Sequence, residues 1–198
     1  MNKRDFLKGT GVALPAAFFV SPAQAQGGPA TAATVLIVYH SVSGNTEKMA
    51  QGVADGAKGV SGANVVLKKV GAVMTEDLLS ADAVVVGSPV YFGNMSGEVK
   101  TFFDNWLLKF GVFRDFKMRN KIGAAFATGA SISNGKELTM LAIHQAMLVN
   151  QMLIVSGGGA FGASATTGPD SPGVDDKELA TASALGKRVA EFAASRKS

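Results

Sequence analysis

Ser41-Val42-Ser43-Gly44-Asn45-Thr46 gathers three hydroxyls and one amide around a single glycine, residue types and a spacing suited to holding a phosphate. The six residues stand between an apolar run that ends at Tyr39 and a stretch of helical spacing that opens at Asn45. Backbone N–H groups at a helix start point outward without partners, and the helix dipole favours an anion there. Gly44 lets a ligand approach the backbone, and Ser41, Ser43 and Thr46 can each donate from a hydroxyl. No lysine closes the loop, so the Gly-x-x-x-x-Gly-Lys-Ser/Thr pattern of triphosphate sites is absent and a terminal phosphomonoester suits it better than ATP. The competing reading is that Ser43 or Asn45 caps the helix; capping accounts for one polar residue and leaves the others unexplained.

Two further segments follow apolar runs in the same way. Gly87-Ser88-Pro89-Val90-Tyr91-Phe92-Gly93-Asn94-Met95-Ser96-Gly97 sets two aromatics between a proline and a glycine, either as part of a site or as a turn with aromatic packing. Ala127-Thr128-Gly129-Ala130-Ser131-Ile132-Ser133-Asn134-Gly135 is the other. Gly157-Gly158-Gly159-Ala160-Phe161-Gly162 spells Gly-x-Gly-x-x-Gly, but a segment rich in Gly, Pro, Ser and Thr at 166–173 follows in place of a helix, which argues against a dinucleotide fingerprint. His40 and His144 are far apart in sequence, and with Asp170, Asp175 and Asp176 they show no metal-ligand spacing; the aspartates read as a polar loop and an acidic helix start. With no cysteine in the chain, disulfides, thiolate metal sites, iron–sulfur clusters and cysteine nucleophiles are excluded, so redox chemistry requires a bound cofactor.

The elements that must position these loops alternate. Residues 35–39, Val-Leu-Ile-Val-Tyr, form a continuous apolar run of the kind expected of a central parallel strand covered on both faces. A helix is predicted over 45–60, where Met49, Val53 and Ala57 recur at four-residue intervals. Strands follow at 65–70, 83–87, 121–128 and 152–156, and helices at 75–79, 96–109, 136–150 and 175–195. Val99, Phe102, Phe103, Trp106 and Leu107 make an apolar stripe, which assigns Trp106 to the core. This alternation predicts an α/β doubly wound parallel sheet, whose ligands sit beyond the carboxyl ends of the strands.

The first loop resembles the Thr/Ser-x-Thr/Ser-Gly-x-Thr motif with which flavodoxins hold the phosphate of FMN. The second loop, with Thr101-Phe102 and Asp104 after it, is similar to that of the NAD(P)H:quinone oxidoreductases once called tryptophan-repressor-binding proteins, and the resemblance spans roughly residues 35–192. It implies a flavodoxin-like five-stranded sheet in the order 2-1-3-4-5. It also implies FMN bound by Ser41 to Thr46, by Pro89, Val90, Tyr91, Phe92 and Gly93, and by Thr128, Gly129, Ala130 and Ser131. Leu141-Ala142-Ile143-His144 resembles the family's Leu-Ala-His-His, which implies His144 at the redox face of the flavin; the alternative is a helix-surface or interface histidine. The family places a tryptophan against its substrate between the positions of Asp104 and Asn120; here Trp106 comes four residues early and Phe110 holds the counted position. Beside a flavin-binding or assembly module without turnover, two functions stay open. One is two-electron reduction of a quinone-like acceptor with NAD(P)H, in a homodimer or homotetramer whose flavin lies at the subunit interface. The other is an electron carrier that serves a protein redox partner without NAD(P)H.

Composition bounds the rest. The chain's 198 residues, 47% hydrophobic, suit one domain over 34–198. Residues 1–25 read as a removable export signal: a basic start to Lys8, an apolar run at 9–20, and Ala23-x-Ala25 as a cleavage site. The run is shorter than the roughly 20 residues that span a bilayer, so no permanent membrane span is expected. Lys3-Arg4 stands where a twin-arginine signal has two arginines, and that route or ordinary secretion would deliver the protein to the periplasm. The stretch 26–33 reads as a tether. Lys3, Arg4 and Lys8 against Asp5 supply two of the four net positive charges, and the remaining body sets 16 basic against 14 acidic residues, with no footprint for nucleic acid.

Overall fold

The computed structural model describes residues 32–168, 171 and 173–197; the expected signal and Asp170 lie outside the described residues. The first strand, β1 (Ala33–Tyr39), opens one residue inside the stretch read as a tether, with Ala33 fully buried. Its side chains alternate as a pleat requires: Ala33, Val35, Ile37 and Tyr39 join the core of one sheet face, Leu36 and Val38 that of the other. Both faces are covered, which is why the run is continuously apolar.

Then come α1 (Asn45–Lys58), β2 (Ala63–Lys69), α2 (Thr75–Ser80), β3 (Ala83–Tyr91), β4 (Asn94–Met95), α3 (Gly97–Leu108), β5 (Ile122–Gly129), α4 (Lys136–Val149), β6 (Leu153–Ile154), β7 (Ala163–Thr166) and α5 (Asp176–Ser195). The sheet runs β2-β1-β3-β5-β6, parallel throughout, which is the expected order once β4 is recognised as a hairpin arm on β3. Helices α1 and α5 cover one face and α2, α3 and α4 the other.

Two elements depart from the sequence reading. The fifth strand position is shared: β6 pairs with Ile122 and Gly123, and β7 pairs with the Phe126–Gly129 end of β5. Between them the Gly-x-Gly-x-x-Gly run makes a tight excursion. A Cβ on Gly158 would lie 2.1 Å from the Thr181 carbonyl oxygen and one on Gly162 2.0 Å from that of Ala125, so the glycines serve close backbone approach. The other departure is β3, which continues past Gly87 to Tyr91 and turns through Phe92 (φ 50°) and Gly93 (φ 78°), the paired positive φ values of a two-residue hairpin, into β4.

Candidate active site at the strand ends

Tyr39 ends β1, and the N–H of His40 donates to Gly87 O at 3.2 Å, carrying the first loop alongside β3. Gly44 is the N-cap of α1 at φ 87°, and no side chain caps the helix. Ser41 Oγ accepts instead from the Gly44 N–H at 3.1 Å, and Asn45 Nδ2 donates to Ser43 Oγ at 3.3 Å, so the polar side chains shape the turn and leave the first helical N–H groups open. Beneath, the Tyr39 hydroxyl donates to Glu47 Oε1 at 2.7 Å, tying the strand end to the first turn of α1. Burial and Glu47 push the Tyr39 phenol up to about 12, and the same bond is the largest cause that holds the Glu47 carboxyl below its usual range.

The other two loops meet this one. Tyr39 pairs across β3 with Gly87, and Pro89 pairs across β5 with Thr128, so the three loops leave one sheet edge. Thr46 and Thr128, both buried, bring their hydroxyl oxygens to 2.7 Å; whichever accepts keeps its own proton to donate elsewhere. A Cβ on Gly135 would lie 3.0 Å from Gly93, so the tip of the β3–β4 hairpin rests on the start of α4. Ser88 Oγ accepts from the Ser96 N–H at 2.9 Å and donates to Pro89 O at 2.8 Å, fixing the hairpin base. Val42, Tyr91, Phe92 and Ile132 are exposed around the cluster, Phe92 completely.

The structure therefore brings together residues 41–46, 89–93 and 128–131. It does not gather His144 with them. That residue lies in the third turn of α4, about 12 Å along the axis from the helix start. It is buried with Nε2 unpartnered, and burial holds its imidazole below the usual range. Trp106 and Phe110 are also buried, and with Phe102 and Phe103 they form an aromatic cluster on and just after α3. A groove of about 790 Å³ between α3 and α4 takes Met95, Phe103 and Trp106 on one wall and Ala142, Ala146 and Val149 on the other.

The sequence reading gives no role at the site to three neighbours of the cluster. His40 Nε2 stands 3.5 Å from Glu98 Oε2, across from the base of the first loop, and Glu98's own backbone N–H is the largest of the contacts lowering its carboxyl pKa. Asn134, its amide oriented to satisfy both neighbours, donates to Ser131 O at 3.2 Å and accepts from the Ala130 N–H at 2.9 Å. Lys136, 5% exposed, donates to Ser131 O at 2.7 Å, Ile132 O at 3.1 Å and Thr166 Oγ1 at 3.1 Å. The only sequence signal for any of them is adjacency to a loop.

A profile of the family described as NADPH-dependent FMN reductase matches residues 33–167, which takes in all three loops. The chain belongs to that family. Relatives of the FMN reductase family member described here include a protein of Geotalea uraniireducens (strain Rf4) named NAD(P)H dehydrogenase (quinone), 34% identical over 81% of this chain and 97% of its own length. One of the same name from Archaeoglobus fulgidus is 31% identical over 81% of this chain and 97% of its own. Among solved structures, the flavodoxin, WrbA-like protein from Agrobacterium tumefaciens superposes with a TM-score of 0.70 at 27% identity, covering 84% of this chain and all of that one. For this FMN reductase family member the open start of α1 fits the phosphomonoester of FMN: a glycine N-cap, uncapped N–H groups and a hydroxyl proton to spare are what a terminal phosphate needs.

Proposed function

We propose that this protein is an FMN-dependent oxidoreductase that passes two electrons from NAD(P)H to a quinone. The observation that carries the reading is the convergence of three strand-end loops around the uncapped start of α1, in a chain of the FMN reductase family. Bound FMN supplies the redox chemistry itself. The residues of this chain bind, orient and shield it. The N–H groups beyond Gly44, with Ser41, Ser43 and Thr46, hold the phosphate; the Pro89–Gly93 segment and Thr128 to Ser131 grip the ring through backbone groups. Val42, Tyr91, Phe92 and Ile132 are apolar surfaces left for the ring and for a second copy of the chain to cover, in a homodimer or homotetramer. The curated relatives' quinone activity supports the acceptor class. The basic start, apolar run and Ala23-x-Ala25 support export to the periplasm.

The test is anaerobic. Flavin bound to the purified protein bleaches on adding NADH or NADPH and regains its colour on adding a soluble quinone, one equivalent for one. Flavin that reduces with dithionite but ignores both nucleotides would move the assignment to an electron carrier for a protein partner.

A further inference from the structure

Lys136 is in an unusual position for a lysine. It is the first residue of α4, where the helix dipole disfavours a cation, and it is almost wholly buried, where desolvation disfavours a charge. Its three contacts are neutral: the carbonyls of Ser131 and Ile132 and the hydroxyl of Thr166. No carboxylate among the described residues forms an ion pair with it. Glu178, the anion next along the chain of contacts, is engaged elsewhere: it accepts from the Thr166 N–H at 2.8 Å and from the Asp175 N–H at 3.2 Å, capping α5. Glu137 is exposed. The Lys136 amine and the positive end of α4 thus coincide just behind the third strand-end loop, with no carboxylate among the described residues paired to them.

We propose that this charge is answered by the flavin: Lys136 stabilises the negative charge that the ring acquires on two-electron reduction. The inference rests on the FMN reading above. Hydride transfer from NAD(P)H carries two electrons and one proton, so the nicotinamide leaves as NAD(P)⁺ and the ring, neutral when oxidised, becomes an anion unless a second proton follows. Handing the hydride on to a quinone, which takes a proton from solvent to become the quinol, returns the ring to neutrality. Lys136 acts through the loop to which it donates, at the Ser131 and Ile132 carbonyls, and because it is buried its field is screened less than that of a surface lysine. It therefore favours the reduced over the oxidised ring. Lys136 is a tuning residue in this scheme and touches no reacting atom.

The experiment compares the wild type with Lys136→Gln, which keeps hydrogen-bond donors, and Lys136→Arg, which keeps the charge. Dissociation constants for oxidised and for dithionite-reduced FMN are measured on each variant, and the wild-type midpoint potential is followed between about pH 5.5 and 8. Lys136→Gln is expected to weaken reduced FMN at least tenfold more than oxidised FMN, equivalent to lowering the two-electron potential by about 30 mV, while Lys136→Arg stays within threefold of wild type. The wild-type ring is expected to take up one proton per two electrons down to about pH 6. Equal weakening of both redox forms would make Lys136 a mere brace for its loop and overturn the proposal, as would uptake of two protons at neutral pH, a result that does not depend on any variant folding. Absence of FMN binding by the wild type would instead sink the flavin site itself, and the two failures are distinguishable because only the second removes the flavin spectrum.

Discussion

At the scale of single residues the local chemistry is written in backbone angles and neighbours. Gly44 sits at φ 87° with open space where a Cβ would go, so Gly44→Ala strains the backbone without a collision. The strain, about 1–2 kcal/mol, falls on the turn that aims the α1 N–H groups; the expected result is at least tenfold weaker FMN binding with a thermal midpoint only a few degrees lower. Tyr39 allows a pH prediction. Its folded pKa is raised to about 12 from a usual value near 10, so the native state keeps a proton that the unfolded chain loses in between. Stability therefore falls as pH rises through that window, and Tyr39→Phe should flatten the fall in denaturant melts taken above about pH 10. His144 has the opposite sign. Its folded pKa is lowered, so the unfolded chain binds the proton first and stability declines as pH drops below about 6.5; His144→Asn should remove that part of the slope. The hydroxyls and Gly44 are legible in the sequence because capping needs only one of them. Lys136 and His40 are not, since a lysine or histidine beside a loop ordinarily points to water, and only the fold buries the one and sets the other beside Glu98.

Elements were legible where their period was strong. The β1 run, the start of β3, the span of α3 and the long closing helix stand within a residue or two of expectation, because each buries a face whose spacing the sequence displays. The β3–β4 hairpin and the split of the edge position into β6 and β7 were not. Both arise where glycine permits a turn or an excursion, and two-residue and four-residue strands carry too little pattern to register. Glycine also decides how α1 meets α5. A Cβ on Gly186 would lie 1.8 Å from Val53 O, so Gly186→Ala must push the two helices apart. That repacking should destabilise by about 3 kcal/mol, overriding the roughly 1 kcal/mol that alanine gains over glycine inside a helix. Gly97→Ala at the start of α3, where a Cβ meets nothing within 4 Å, is the matched control and should be neutral or slightly stabilising in the same melts.

For the whole molecule the doubly wound order explains why three loops distant in sequence share one edge: each follows a parallel strand near the centre, and the chain crosses between them through helices on both faces. A ligand held by three loops of the native fold binds the folded chain and not the unfolded one, so its binding should be visible in global stability. At FMN a hundredfold above its dissociation constant, linkage adds about 2.7 kcal/mol, or roughly 5–10 °C in midpoint for a domain of this size. Export is tested on the full-length chain by cell fractionation: the proposal predicts periplasmic protein beginning near Gln26 with flavin bound, and twin-arginine export predicts that Arg4→Lys retains it in the cytoplasm.

The most direct test is a fluorescence titration of flavin-free protein with FMN and, in parallel, with riboflavin, which is the same ring and ribityl chain without the phosphate. If the uncapped start of α1 at Gly44 holds a phosphomonoester, FMN binds one to one and at least a hundredfold more tightly than riboflavin, the ratio expected when about 3 kcal/mol of charge-assisted hydrogen bonds is removed. Equal affinity for the two flavins, or no binding of either, would contradict the site.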